Sequence, residues 1–155
     1  MKAMDRSKTV HTGHTAETEA LGASLAKAML NDSTLPPFVA LYGDLGTGKT
    51  AFVRGFVSVL SPRAAVRSPT FALVNEYPAK PRPVFHFDMY RITGEDDLWS
   101  TGFYDYADRG GICLVEWSEN IPFALPDHYL RVLLEKDDPT DPDSRRITLE
   151  EIGET

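Results

Sequence analysis

The sequence predicts an α/β fold: a mixed, mostly parallel sheet with flanking helices and antiparallel C-terminal strands. Three observations carry that expectation. The apolar run Phe38–Tyr42 passes through a glycine-spaced loop straight into a stretch with apolar residues at helical spacing. Two further apolar runs, 84–87 and 112–115, each end on a carboxylate, and two strand-like runs, 129–135 and 146–150, are separated only by a turn. A long helix after a buried strand favours a parallel crossover, whereas strands joined by a short turn pair antiparallel.

Taken in order, residues 1–12 are polar and are expected to form a flexible lead-in. From Thr15 onward Leu21, Leu25, Ala28 and Met29 fall on one helical face, with hydroxyl residues at hand for capping. Residues 31–37 hold turn chemistry, and Pro36-Pro37 forbids a helix before the run 38–42, which is short and bounded enough to be a buried strand. Lys49–Leu60 then carries Phe52, Val53, Phe56, Val57 and Leu60 at helical spacing. Strands are predicted at 71–77, 84–87, 112–115, 129–135 and 146–150, with a short helix and loop over 96–106. The segment 137–143, Asp-Asp-Pro-Thr-Asp-Pro-Asp, reads as a hairpin connection. With 155 residues, no repeat and no low-complexity linker, the chain 1–155 is expected to be one domain.

Bulk properties narrow the function. Apolar residues make up 42% and charged residues 25%, as in ordinary globular proteins. The single cysteine, Cys113, sits in an apolar run, which suits a small buried hydrophobe in a reducing cytoplasm and excludes an intramolecular disulfide. No stretch approaches the length of a membrane span, and residues 1–12 lack the apolar core of a secretion signal. The net charge of -7 argues against a protein that grips nucleic acid alone. That average hides a gradient: residues 54–91 hold six bases against two acids, and residues 135–155 hold eight acids against three bases. The basic middle either steers an anionic partner or is solvated surface.

Gly43-Asp44-Leu45-Gly46-Thr47-Gly48-Lys49-Thr50 fits the phosphate-loop pattern G-x-x-x-x-G-K-[ST] at every fixed position, between a strand and a helix as the pattern requires. Its glycines let backbone N–H groups turn inward as an anion nest, and the helix that follows directs its positive end at the phosphates. Lys49 is expected to reach the β- and γ-phosphates and the Thr50 hydroxyl to ligate Mg²⁺, with Ala51 completing the nucleotide-binding set. The fold expectation sharpens to a P-loop NTPase-like domain.

A P-loop only holds phosphates; hydrolysis also needs an acid that places the metal or the water. Glu116, after Ile112-Cys113-Leu114-Val115, and Asp88, after Val84-Phe85-His86-Phe87, stand at strand ends where such acids sit. Each taken alone is also a candidate helix cap. Ser68-Pro69-Thr70 is a stiff turn downstream of the P-loop helix, suited to a hydroxyl that senses the γ-phosphate or simply caps the turn. His86 reads as a core histidine in preference to a base. Trp117 is able to cover the nucleotide or to pack.

Together Gly43–Thr50, Ser68-Pro69-Thr70-Phe71, His86-Phe87-Asp88-Met89-Tyr90-Arg91 and Leu114-Val115-Glu116-Trp117, in that order and spacing, resemble the TsaE (formerly YjeE) family. Glu17-Thr18 with Leu21-Gly22, and Asp97-Leu98 to Gly102-Phe103, extend the likeness over roughly residues 15–135. These proteins are bacterial ATPases of tRNA threonylcarbamoyladenosine biosynthesis. The resemblance implies ATP and Mg²⁺ as cofactors, with Thr50 and Glu116 on the metal, Asp88 at or near it and needed for hydrolysis, and Thr70 in a nucleotide-responsive switch. It implies TsaD and TsaB as partners, with tRNA met only through their complex. The neighbours of the base stay open among Thr15, Thr18, Arg145 and Arg146.

Two rival readings remain. A P-loop small-molecule kinase sends the γ-phosphoryl to a hydroxyl, but no lid insertion is apparent here. A nucleotide-gated binding module with negligible turnover shares the same motifs. A GTPase is disfavoured because the chain has no Asn-Lys-x-Asp segment.

Overall fold

The three apolar runs become the middle of one sheet. The computed structural model describes residues 7–69 and 73–153. In chain order these form β1 (Ser7–Thr12), α1 (Thr15–Asn31), β2 (Phe38–Tyr42), α2 (Lys49–Leu60), β3 (Val74–Tyr77), β4 (Val84–Asp88), α3 (Glu95–Trp99), α4 (Phe103–Ala107), β5 (Ile112–Glu116), β6 (Tyr129–Lys136) and β7 (Arg145–Ile152), with two 3₁₀ turns, Ser118–Asn120 and Pro122–Ala124, between β5 and β6. The sheet order is β1-β7-β6-β2-β5-β4-β3. The inner pairings β6–β2, β2–β5 and β5–β4 are parallel. The outer ones, β1–β7, β7–β6 and β4–β3, are antiparallel.

Burial explains why the inner strands are nearly all apolar. β5 is buried at every position, and β2 and β4 at all but their last. A parallel strand covered on both faces has no polar side to show. Successive side chains point to opposite faces, so Val39 and Leu41 join Leu21, Leu25, Phe52 and Phe56 beneath α1 and α2. Phe38 and Ala40 join Phe87, Leu98, Phe103 and Val115 beneath α3 and α4.

Helices α1 and α2 meet through two glycines. A Cβ on Gly22 would lie 2.1 Å from the Phe52 carbonyl oxygen, and one on Gly55 would lie 1.8 Å from that of Glu19. Only glycine permits backbones to approach so closely.

Several expectations need correction. Residues 7–12, expected within a flexible lead-in, form β1 against β7. Without β1 the outer edge of β7 would leave ladder groups unpaired, and Thr9 and Val10 suit a strand there despite their polar neighbours. The predicted strand 71–77 is β3 over Val74–Tyr77, and residues 70–72 lie outside the described residues. The short helix and loop predicted over 96–106 are two short helices, Glu95–Trp99 and Phe103–Ala107, separated where Gly102 adopts φ +79°. At the start of α1 the N-cap is His14, without a side-chain cap; the Gly13 N–H instead donates to the Glu17 carboxylate at 2.7 Å.

Candidate functional site

Strand β2 delivers the chain to Gly43, where the backbone turns sharply at φ +145°. A Cβ there would lie 2.5 Å from the Leu134 carbonyl oxygen and 2.7 Å from Thr47 Oγ1, so the turn excludes any larger residue. Gly46 and Gly48 also have positive φ, and Gly48 is the N-cap of α2. The loop is braced from within by Thr47 Oγ1 donating to the Asp44 carbonyl at 2.9 Å.

Lys49 is buried and folded back on its own loop. Its ammonium donates to the carbonyls of Gly43 and Asp44 and lies 4.1 Å from the centre of the Trp117 ring. Burial lowers the ammonium pKa, while Glu116, Glu119, Asp88 and Asp44 oppose the shift by their charge. The cation is held near, but not within, a ring of acids.

Parallel pairing puts Asp88 and Glu116 in register at the ends of adjacent strands. The Thr50 hydroxyl, one residue into α2, donates to Glu116 at 3.2–3.3 Å. Glu116 is only 3% exposed, and its Oε2 also meets His86 Nε2 at 2.5 Å. Asp88 instead accepts from Ser68 Oγ at 3.0 Å and from the Tyr90 N–H at 2.9 Å. A cleft of about 380 Å³ lies over these groups, lined by Lys49, Thr50, Asp88, Glu116 and Trp117 and by the loop itself.

Among the described residues no group of three or more His, Cys, Asp or Glu forms a cation cage. The donor set is of another kind: a hydroxyl beside a buried carboxylate, with a second carboxylate on the next strand. That fits Mg²⁺, which is usually held by one or two carboxylates plus substrate phosphates.

The family model described as threonylcarbamoyl adenosine biosynthesis protein TsaE matches residues 12–147, most of the chain and all of this site. The chain belongs to the TsaE family. A relative from Bacillus subtilis (strain 168) is 37% identical over 115 residues, covering 74% of this chain and 70% of its own length. One from Haemophilus influenzae is 39% identical over 111 residues, covering 72% and 68%. Both are named tRNA threonylcarbamoyladenosine biosynthesis protein TsaE. The crystal structure of YdiB from Bacillus subtilis superposes with a TM-score of 0.74 at 29% identity, covering 97% of this chain and 88% of that one. Membership places the chain among proteins of tRNA threonylcarbamoyladenosine biosynthesis.

Within this TsaE-family fold the predicted residues do not all converge. Leu45, Gly46, Gly48, Lys49, Thr50, Ala51, Asp88, Glu116 and Trp117 share the cleft. Gly43, Asp44 and Thr47 line an adjoining hollow of about 510 Å³ with Tyr42, Glu119 and Arg131. Thr18 is buried, bonded to the Thr12 hydroxyl at 3.1 Å, and its methyl lies behind Gly48 rather than in the cleft. Thr15 is exposed at the start of α1. Thr70 lies outside the described residues. Arg145 reaches the P-loop carbonyls, whereas Arg146 turns to Glu135 at 3.3 Å and Asp137 at 3.9 Å.

Sequence reasoning missed three contributors. His86 is a core histidine as expected, yet it also grips Glu116; its alternation with Phe85 and Phe87 marks burial but not that partner. Glu119 accepts the Gly43 N–H at 3.2 Å, with no motif to announce it. Ser68 was visible only as part of a turn, and its bond to Asp88 depends on the sheet.

Proposed function

We propose that this protein binds ATP with Mg²⁺ in the cleft above Lys49 and hydrolyses it slowly alone, serving tRNA threonylcarbamoyladenosine formation by a TsaD–TsaB complex in the cytoplasm. The observation that carries this reading is the Thr50 hydroxyl facing buried Glu116 at the mouth of a glycine-spaced loop. As one domain without a nucleic-acid grip, the chain meets tRNA only through its partners.

The residues divide the work as follows. Loop amides from Gly46 to Thr50 take the phosphate oxygens, helped by the positive end of α2. Lys49 leaves the carbonyls of Gly43 and Asp44 for the β/γ-bridge, exchanging two neutral acceptors for anionic ones. A bound Mg²⁺ would neutralise charge that develops on the β- and γ-phosphates. Thr50 and Glu116 would hold it, with Asp88 beside them at the end of the adjacent strand. With Glu116 assigned to the metal, Asp88 on the adjacent strand, bonded to the Ser68 turn, is the carboxylate left to orient the attacking water. Thr70 follows that turn as the γ-phosphate sensor. Trp117 covers the cleft from above Lys49.

The test is phosphate release by the chain alone, with purified TsaD and TsaB, and with a panel of small hydroxyl acceptors. Release to water that rises with TsaD and TsaB is expected. A phosphorylated acceptor would establish a kinase, and failure to bind ATP at all would sink the reading.

A further inference from the structure

The geometry points to Arg145 as a positioning residue that holds the phosphate-binding loop open for its anion, a role that rests on the ATP-binding reading above. Arg145 begins β7 and sits in register with Thr12 on β1 and Lys136 on β6, so three strands fix its backbone. Its Nε donates to the Thr47 carbonyl and its Nη2 to the Gly46 carbonyl, each at 3.0 Å. Its Nη1 donates to the carbonyls of Pro142 at 2.7 Å and Ser144 at 2.8 Å. Four of the five donors of a rigid, permanently charged fork thus tie the P-loop to the β6–β7 turn.

The consequence lies on the far side of each peptide. In a trans peptide the C=O and N–H point in opposite directions. Drawing the carbonyls of Gly46 and Thr47 toward Arg145 therefore turns the amides of Thr47 and Gly48 the other way, into the nest. The Thr47 amide is held only by the Asp44 carbonyl at 3.3 Å, a bond weak enough to yield to phosphate. A cation on the carbonyl end also polarises the peptide and strengthens its N–H as a donor.

Packing does not do this job. Gly46 has φ +79°, and among the described residues nothing lies within 4 Å of where a Cβ would stand, so no packing against its Cα sets its orientation. Arg145 supplies the restraint from 98 and 99 positions downstream. Lysine, a point charge without the planar fork, would not hold both carbonyls at once.

The experiment titrates the full chain and the variants Arg145→Ala and Arg145→Lys with ATP and with inorganic tripolyphosphate, with and without Mg²⁺, beside thermal melts. Both variants are expected to bind both ligands about tenfold more weakly, by a common factor, as befits two lost net hydrogen bonds. The Mg²⁺ midpoint of the nucleotide complex is expected to stay put, since Thr50 and Glu116 are untouched. Weaker ATP with unchanged tripolyphosphate would overturn the role, because Arg145 would then be touching the nucleoside. Unchanged binding of both would overturn it outright while leaving the ATP reading intact, whereas a wild-type chain that fails to bind ATP would remove both. Should Arg145→Ala melt below the assay temperature, amide exchange in Arg145→Lys decides. Faster exchange at Thr47 and Gly48 in the tripolyphosphate complex supports the role, and unaltered protection there refutes it.

Discussion

Replacing His86 with phenylalanine isolates the histidine–glutamate pair. The new ring keeps the volume that lies 6.4 Å from Tyr77 but removes the donor to Glu116. Glu116, 3% exposed, keeps the Thr50 hydroxyl as its only hydrogen-bond partner among the described residues. Leaving a buried carboxylate without its donor costs about 3–5 kcal/mol, the upper range because the group is charged. His86 Nδ1 is buried with no hydrogen-bond partner among the described residues, and its removal returns about 1 kcal/mol. The net loss is then about 2–4 kcal/mol, or a fall of about 4–16 °C in Tm at roughly 2–4 °C per kcal/mol. Urea unfolding in EDTA without nucleotide measures it, since no cation can then stand in for the histidine. In the double variant His86→Phe/Glu116→Gln the carboxylate charge is gone, so more than about 1 kcal/mol should return relative to the sum of the single changes. A His86→Phe loss under about 1 kcal/mol, or strict additivity in the double variant, would refute the pairing argument.

Lys49→Ala should weaken ATP binding by roughly 10- to 150-fold, the worth of one charged hydrogen-bonding group; calorimetry that finds unchanged affinity would contradict the P-loop assignment. Gly55→Ala would press a methyl group against the Glu19 backbone and should cost about 3 kcal/mol or more in chemical denaturation, with a cost below about 1 kcal/mol arguing that the helices can part. Burial pushes the Cys113 thiol up to about 12, so iodoacetamide at pH 8 should modify the native chain far more slowly than the urea-unfolded one. The folded pKa lies above the unfolded value of about 8.5, so the thiol's contribution to stability is complete below that pH and fades as pH climbs toward about 12. Equal labelling rates in native and unfolded chains would show the thiol to be open.

The strand, loop and helix order in the middle of the chain was legible because its signals are local. A buried strand, a glycine loop and an amphipathic helix follow one another within 38–60, and the apolar runs that end on Asp88 and Glu116 declare covered parallel strands. What escaped depends on distance along the chain. Nothing in Lys8, Thr9 or Val10 says that β7 needs an edge partner. Gly22 and Gly55 look like weak points in two helices until the helices are set against each other. His86 shows its burial by alternation, yet its bond to Glu116 exists only because β4 and β5 lie side by side. Arg145 and Arg146 are adjacent and chemically identical; strand alternation sends one to the P-loop and the other to the hairpin's acids.

The glycine contact between α1 and α2 also decides where the molecule has room to work. Two backbones meshed at Gly22 and Gly55 leave no slack for one helix to slide along the other. The half of the protein that carries Lys49 and Thr50 is therefore a stator, clamped to the sheet on one side and to α1 on the other. If ATP is hydrolysed as proposed, a movement that follows loss of the γ-phosphate would run through the opposite half, from the Ser68–Asp88 link to the exposed ring of Tyr90. A binding partner would feel the nucleotide there.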